Sequence, residues 1–368
     1  MKQLLCAFLV LTSLCAQGQE QTIENITKTL HQYIQGTSSN DPSLIKSAFA
    51  DDAQLFLDKK GQDLWQVSIN EYASWFNKKG QSSGRIGEVL SIDVEGNIAT
   101  AKVEIVQPTK EKRYIDMFLL KKLSNGWKVI SKSATSEEAN NSGKRILFIV
   151  SNAHFHGDST LPTGVSFSEI VKAYDTFKKA GYTVDFVSPK GGAIPLAYIN
   201  TSETIHKQYL YNNDFMYAIK HTKPPNQIKP ENYLAVHYVG GGNAMYGVAE
   251  NQDIQHIAMT IYEKHNGIIS SVCHGTAGIV NLKTKDGKYL VDGKRISGYP
   301  DSYENQTKAY FKEFPFLIQK TIERHGGSFH FAKRNQPHVE VDGRIITGQN
   351  HLSSPLVAEK MVELLNQY

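Results

Sequence analysis

Two hydrophobic patterns follow one another along this chain, and they change over near residue 144. Between residues 21 and 35 apolar side chains recur at Ile23, Ile26, Leu30, Tyr33 and Ile34, the spacing of one helix face. Asp41 as N-cap and Pro42 in the first turn predict a second, short helix over residues 42–49. A third is expected around residues 69–77. Strands are then expected at residues 87–94, 98–106, 113–120 and 127–131, with the turn residues Glu95-Gly96-Asn97 and Ser124-Asn125-Gly126 marking hairpins. Helices first and strands afterwards read as α+β. Residues 134–143, ATSEEANNSG, are polar and aperiodic and read as an interdomain linker.

From Lys144 onward strand and helix alternate. Arg145-Ile146-Leu147-Phe148-Ile149-Val150 is a continuous apolar run, as expected of a parallel strand covered on both faces. Phe167, Ile170, Val171, Tyr174 and Phe177 mark an amphipathic helix stopped by Gly181. Further strands are predicted at residues 184–187, 233–239 and 268–272, with a helix through Ile254, Ile257, Ala258, Ile261 and Tyr262 before the last. This alternation predicts a doubly wound, mostly parallel sheet, whose ligands sit at the carboxyl ends of the strands.

At one such end Val272 runs into Cys273-His274-Gly275, followed by the small residues Thr276-Ala277-Gly278. A nucleophile on a tight strand-to-helix turn needs small neighbours, and a helix N-terminus after it favours thiolate over thiol. The alternative is a buried structural cysteine. A second strand end carries Gly240-Gly241-Gly242. Its glycine spacing does not fit dinucleotide binding, but backbone N–H groups there suit an oxyanion.

Residues 1–18 combine Lys2, an apolar core from Leu4 to Leu14 and small residues at Ala16 and Gly18, the pattern of a secretory signal peptide cleaved before Gln19. The run is too short for a membrane span. Its removal would take Cys6 and Cys15 and leave Cys273 as the single thiol of a periplasmic or secreted protein, which points to a reactive group or an intermolecular bridge. A net charge of +4 without a dense basic run calls for no nucleic acid.

Residues 20–135 resemble the nuclear-transport-factor-2-like α+β cone in its exported lumazine-binding branch. The resemblance rests on Ile26, Leu30, Tyr33 and Gly36, on Ala48-Phe49-Ala50-Asp51-Asp52-Ala53, and on the run from Asp116 through Trp127 to Ile130. Cones of this kind can place a carboxylate base in their mouth, and Asp116 is the candidate. The plainer reading puts Asp116 at a strand edge or facing solvent. Tyr72, Trp75 and Phe76 could line a cavity or belong to the core, and a cone of this type could supply a homodimer surface.

Residues 144–368 resemble the ThiJ/PfpI superfamily, a flavodoxin-like, class I glutamine amidotransferase-like fold, within its heat-inducible chaperone and glyoxalase III branch. The motifs are Pro162-Thr163-Gly164 with Glu169, residues 180–189, residues 239–243, Val272-Cys273-His274-Gly275, Gly298-Tyr299 with Tyr303-Glu304, and residues 342–350. The resemblance implies Cys273 as nucleophile, His274 as its acid/base partner, Glu169 beside the thiol and Glu304 orienting His274, with Asp301 able to serve instead. Gly241 and Gly242 would form an oxyanion site and Asn243 would bind substrate, in a position where the branch commonly has histidine. His154, His156 and Asp158 could reach the site, but no metal is assigned. The implied reaction is conversion of a small 2-oxoaldehyde such as methylglyoxal to a hydroxy acid without glutathione or any cofactor. Cysteine hydrolysis of an amide or ester is the alternative, and a non-catalytic holdase or redox sensor is a third.

Overall fold

The protein is described here as a computed structural model covering residues 2–59, 61–139, 141 and 143–367, without the side chains of residues 2–17 and 19. The expected leader, with Cys6 and Cys15, lies outside the described side chains. The chain divides into two compact units, Met1–Gly143 and Lys144–Tyr368. Among the described residues no helix is long and apolar enough to cross a membrane.

The first unit begins with α1 (Lys2–Ser38) and α2 (Pro42–Ala48), where Asp41 accepts the backbone N–H groups of Ser43 and Leu44 as the sequence predicts. Then come β1 (Phe49–Lys59), β2 (Gln62–Ser68), α3 (Ile69–Ser74), β3 (Ile86–Glu95), β4 (Ile98–Gln107), β5 (Lys112–Leu123) and β6 (Gly126–Glu138). They form one six-stranded sheet in the order β2-β1-β6-β5-β4-β3. Only the β1–β6 pair in it is parallel. This is the expected α+β cone architecture. Ile26, Leu30 and Tyr33 of α1 are fully buried, and Tyr33 meets Phe118 of β5 edge to face.

Two elements differ from expectation. The β1–β2 hairpin carries Asp51, Asp52, Asp58 and Lys59, which interrupt the apolar alternation that marks a strand. Residues 134–138, expected as linker, extend β6. Glu138 pairs with Lys112 and Ala134 with Asp116, so backbone pairing prolongs the strand although its side chains are polar.

Asp116 is neither at a strand edge nor in solvent. It is 2% exposed and accepts from Tyr33 at 2.5 Å and from the buried Lys132 ammonium at 2.6 Å. Lys132 also donates to the Tyr33 hydroxyl, which lies 3.0 Å from that of Tyr72. Tyr72 and Phe76 are core residues, whereas Trp75 is exposed. An ion pair removed from water is costly to break, because the survivor keeps its desolvation penalty. Asp116→Ala should therefore destabilise this unit by about 3–5 kcal/mol, while Asp116→Leu with Lys132→Met should cost much less. All three tryptophans, Trp65, Trp75 and Trp127, lie in the first unit, so urea unfolding followed by tryptophan fluorescence reads this difference without interference. Equal losses in the single and double variants would contradict the pairing.

The second unit contains β7 (Arg145–Ile149), α4 (Phe167–Lys179), β8 (Thr183–Val187), α5 (Thr204–Leu210), α6 (Asn213–Lys220), β9 (Tyr233–Tyr238), α7 (Gln252–Lys264) and β10 (Ile268–Val272). It closes with α8 (Ile318–Arg324), β11 (Val339–Asp342), β12 (Ile345–Gly348) and α9 (Ser354–Leu365). The sheet order is β11-β12-β10-β9-β7-β8, parallel throughout except for the antiparallel edge strand β11. Strands β7, β8 and β10 are buried along their whole length, as expected of parallel strands covered on both faces, and the polar Arg145, Asp185, Ser270 and Ser271 are buried with them. One apolar cluster joins Val236, Ile254, Ile261 and Ile269, and another joins Phe148, Phe167, Phe177 and Val357. The carboxyl ends of β9 and β10 thus leave a well-packed sheet side by side.

Candidate active site

Cys273 follows the last residue of β10 and has a backbone φ of +57°, in the left-handed region that non-glycine residues seldom occupy. Such strain clusters at functional sites, where the surrounding structure holds it in place. The next element, Cys273–Ile279, is a 3₁₀ helix. The thiol is 8% exposed at the wall of a cavity of about 550 Å³.

Two side chains, His274 and Glu169, approach the thiol. His274 Nδ1 lies 3.4 Å from Cys273 Sγ. The same ring bonds through Nε2 to Glu304 Oε1 at 2.6 Å, and Tyr310 donates to the other carboxylate oxygen at 3.5 Å. With Nε2–H donating to the carboxylate, Nδ1 is left as an acceptor facing the thiol. Tyr299 stacks on His274 with centroids 4.6 Å apart, which fixes the ring plane. Glu169 comes from the first turn of α4, whose N-cap Ser166 accepts the Glu169 N–H. Its carboxyl is 2% exposed and bonds the Cys273 thiol.

Gly240 makes that approach feasible. A Cβ there would collide with Glu169 Oε2 and stand 2.9 Å from the Cys273 Cβ. Gly241, at φ +111°, passes so close to the backbone of Gly164 and Ser166 that no side chain fits. Gly241 and Gly242 line the cavity beside the thiol, and the Gly240 N–H is directed to Glu169.

The electrostatics reverse one expectation. Burial, then the neighbouring Glu169 charge, push the Cys273 thiol well above its usual range, and the N–H of His274 offsets this only in part. A helix N-terminus does not hold a resting thiolate here. The following turn is 3₁₀, and the carboxyl of Glu169 stands beside the thiol. Burial likewise lifts Glu169 to about 7, against hydrogen bonds from Cys273, Gly240 and Ser166.

Two residues chosen from sequence lie elsewhere. Asn243 is fully buried, and its amide donates to the carbonyls of Ser151 at 3.0 Å and Ala153 at 3.3 Å. It braces the segment after β7 and does not line the cavity, so its assignment to substrate binding is withdrawn. Asp301 accepts the backbone N–H groups of Gln319 and Lys320 at the start of α8, which leaves Glu304 as the partner of His274. His156 lines the cavity and burial holds its pKa down. Among the described residues no group of histidine, cysteine and carboxylate side chains is arranged to hold a metal. Tyr310, which the sequence did not single out, lies in a single 3₁₀ turn, Ala309–Glu313, too short to carry a period.

Each unit of the chain resembles known proteins. Residues 21–133 match the family described as "Putative lumazine-binding". Residues 160–364 match the DJ-1/PfpI family. The chain is 29% identical to "Glyoxalase 3" of Candida albicans, covering 57% of this chain and 93% of that protein. It is 26% identical to the "Glutathione-independent glyoxalase hsp3101" of Schizosaccharomyces pombe, over 60% and 95% respectively. The crystal structure of glyoxalase III from Candida albicans superposes with a TM-score of 0.55 at 26% identity, covering 60% of this chain and 97% of that one. With a family match over more than half of its length, and a doubly wound sheet that carries the cysteine at a strand end, the chain belongs to the DJ-1/PfpI family.

Proposed function

We propose that the second domain is a glutathione-independent glyoxalase that converts a 2-oxoaldehyde such as methylglyoxal into the 2-hydroxy acid. The observation that carries this reading is the pairing of a buried thiol with two separate proton carriers, His274 and Glu169. Isomerisation needs both, because one proton must leave the sulfur and another must move between carbons.

The thiol of Cys273 adds to the aldehyde carbon, and the C–S bond forms as the S–H proton passes to His274 Nδ1. That proton then goes to the aldehyde oxygen, which completes a hemithioacetal. Glu304 holds the imidazole in the accepting tautomer and stabilises its transient charge. Glu169, ionised above about pH 7, takes the C1 hydrogen as a proton and leaves an enediol. N–H groups at Gly241 and Gly242 are suited to the developing oxyanion. Returning the proton to C2 gives a thioester of the hydroxy acid, and water releases the acid and the free thiol. No electrons leave the substrate, so the reaction needs no redox cofactor. A thiol kept neutral at rest suits this sequence, because His274 removes its proton as the bond to carbon forms.

We also propose that the protein is exported, on the strength of the leader pattern of residues 1–18. N-terminal sequencing of the protein from its native host should start at Gln19, and a start at Met1 would overturn export.

Purified, reduced protein should turn methylglyoxal into lactate without glutathione, and Cys273→Ala should not. The kcat/KM should rise with pH through about 7, as Glu169 becomes a base. Glu169→Gln should lose about a hundredfold or more of turnover. Its thiol should still react with iodoacetamide, with the pH profile displaced downward, because removal of the Glu169 charge takes away one cause of the raised thiol pKa. Full turnover by Glu169→Gln would remove Glu169 as the base.

Glu304→Gln should lower kcat/KM by about a hundredfold. Asp301→Asn should leave kcat/KM within about twofold while loosening the start of α8, read as a lower melting temperature. Equal kinetic losses in the two variants would contradict the assignment of Glu304 to His274.

A further inference from the structure

The cavity is far larger than a three-carbon aldehyde requires. Its volume of about 550 Å³ falls among sites for much bulkier molecules, about 300–1,000 Å³. The charges along its wall are unevenly placed. Glu169 and Glu304 stand at the thiol end, and Glu203, farther round, is ion-paired with Lys172 at 3.0 Å. The one arginine among the lining residues is Arg334, and no carboxylate pairs with it among the described residues.

Arg334 is exposed, and an exposed arginine is ordinarily a solvated side chain. Its setting differs from that. The guanidinium donates to the Tyr299 hydroxyl at 3.3 Å and lies over the Tyr303 ring, 5.6 Å from its centroid. Tyr299 is the residue whose ring stacks on His274. One aromatic side chain therefore joins the catalytic imidazole to the arginine.

The loop that carries Arg334 is also tied down. Gln349, 1% exposed, accepts the backbone N–H of Ala332 at 2.7 Å and donates to the carbonyl of Lys333 at 3.5 Å. Asn350 donates to the carbonyl of Gln336 at 2.7 Å, and Tyr303 donates to the carbonyl of Ala332 at 2.9 Å. Three side chains thus fix a short segment whose only fixed charge facing the cavity is Arg334. The guanidinium keeps donors to spare after bonding Tyr299, in a fork that matches carboxylate or phosphate oxygens.

Resting on the glyoxalase reading, we infer that the substrate carries an anionic oxygen group at the end remote from its aldehyde, and that Arg334 receives it. The dicarbonyl end lies at Cys273 and the carboxylate or phosphate at Arg334, with the Tyr299 and Tyr303 rings between them. An anion entering the other way round would meet Glu169 and Glu304. The same charges that recruit the substrate therefore set its direction.

The test compares methylglyoxal with 4,5-dioxovalerate, which carries a carboxylate, and with hydroxypyruvaldehyde phosphate, in wild type, Arg334→Gln and Arg334→Lys. In wild type at least one anionic substrate should exceed methylglyoxal in kcat/KM by about tenfold, and whichever of the two is favoured identifies the group. Arg334→Gln should abolish that ratio, chiefly through KM, and Arg334→Lys should restore part of it. An unchanged ratio in Arg334→Gln overturns the inference. A second readout needs no turnover. Levulinate should protect Cys273 from iodoacetamide at lower concentration than its methyl ester does, and Arg334→Gln should erase the difference. Protection that depends on Arg334 without turnover of any dicarbonyl keeps the anion site and removes the glyoxalase reading. Turnover of methylglyoxal with equal protection by acid and ester keeps the reading and removes the site.

Discussion

The site depends on a contact that leaves no room for a side chain at Gly240. The Glu169 carboxyl, the Cys273 Cβ and the Val272 carbonyl at the end of β10 occupy the volume a Cβ would need. This closeness brings a carboxyl and a thiol together away from water, and burial then does the rest. It lifts Glu169 to about 7 and the thiol well above its usual range, so the carboxyl titrates near neutrality while the thiol keeps its proton there. The left-handed φ of Cys273 belongs to the same constraint, because β10 must turn sharply to present Sγ towards α4.

The two domains show how differently a buried carboxylate can be used. Asp116 and Glu169 are equally hidden, each 2% exposed. Asp116 has an ammonium at 2.6 Å and a phenol at 2.5 Å, so its charge is compensated and its oxygens are occupied. Glu169 has no lysine or arginine paired with it among the described residues, and its Oε2 has no hydrogen-bond partner there. The first arrangement stabilises a core, and the second leaves a proton affinity near neutrality for chemistry. Burial alone therefore says nothing about role, and the partner decides it.

The same distinction governs what could be read from the sequence. The alternating pattern from Arg145 onward and the sharp turn at Cys273 are local signals, and the structure carries both of them. The pattern could not say whether Glu304 or Asp301 meets His274, because they lie three residues apart and only the path of the chain towards α8 separates them. Asn243 misled for a related reason. Its position beside the glycines suggested a ligand contact, whereas the carbonyls that take its amide lie about ninety residues earlier in the chain. The expected thiolate failed because the helix-dipole argument considers one neighbour and omits the desolvation that dominates. In the first domain, β1 and the extension of β6 were hidden by polar side chains on strands held by pairing.

Strand register also links Cys273 to the loop that carries Arg334. Val272 pairs with Gly348 across β10 and β12, so Cys273 and Gln349 leave the sheet at the same level on neighbouring strands. Cys273 turns towards Glu169 and His274, while Gln349 turns to grip the backbone at Ala332 and Lys333. A one-residue slip between these strands would reverse the facing of every side chain on the moving one, and the buried faces of β10 and β12 forbid it. The packing that aligns two apolar strands thereby fixes the separation between the thiol and the loop bearing Arg334. That separation follows from the core of the sheet.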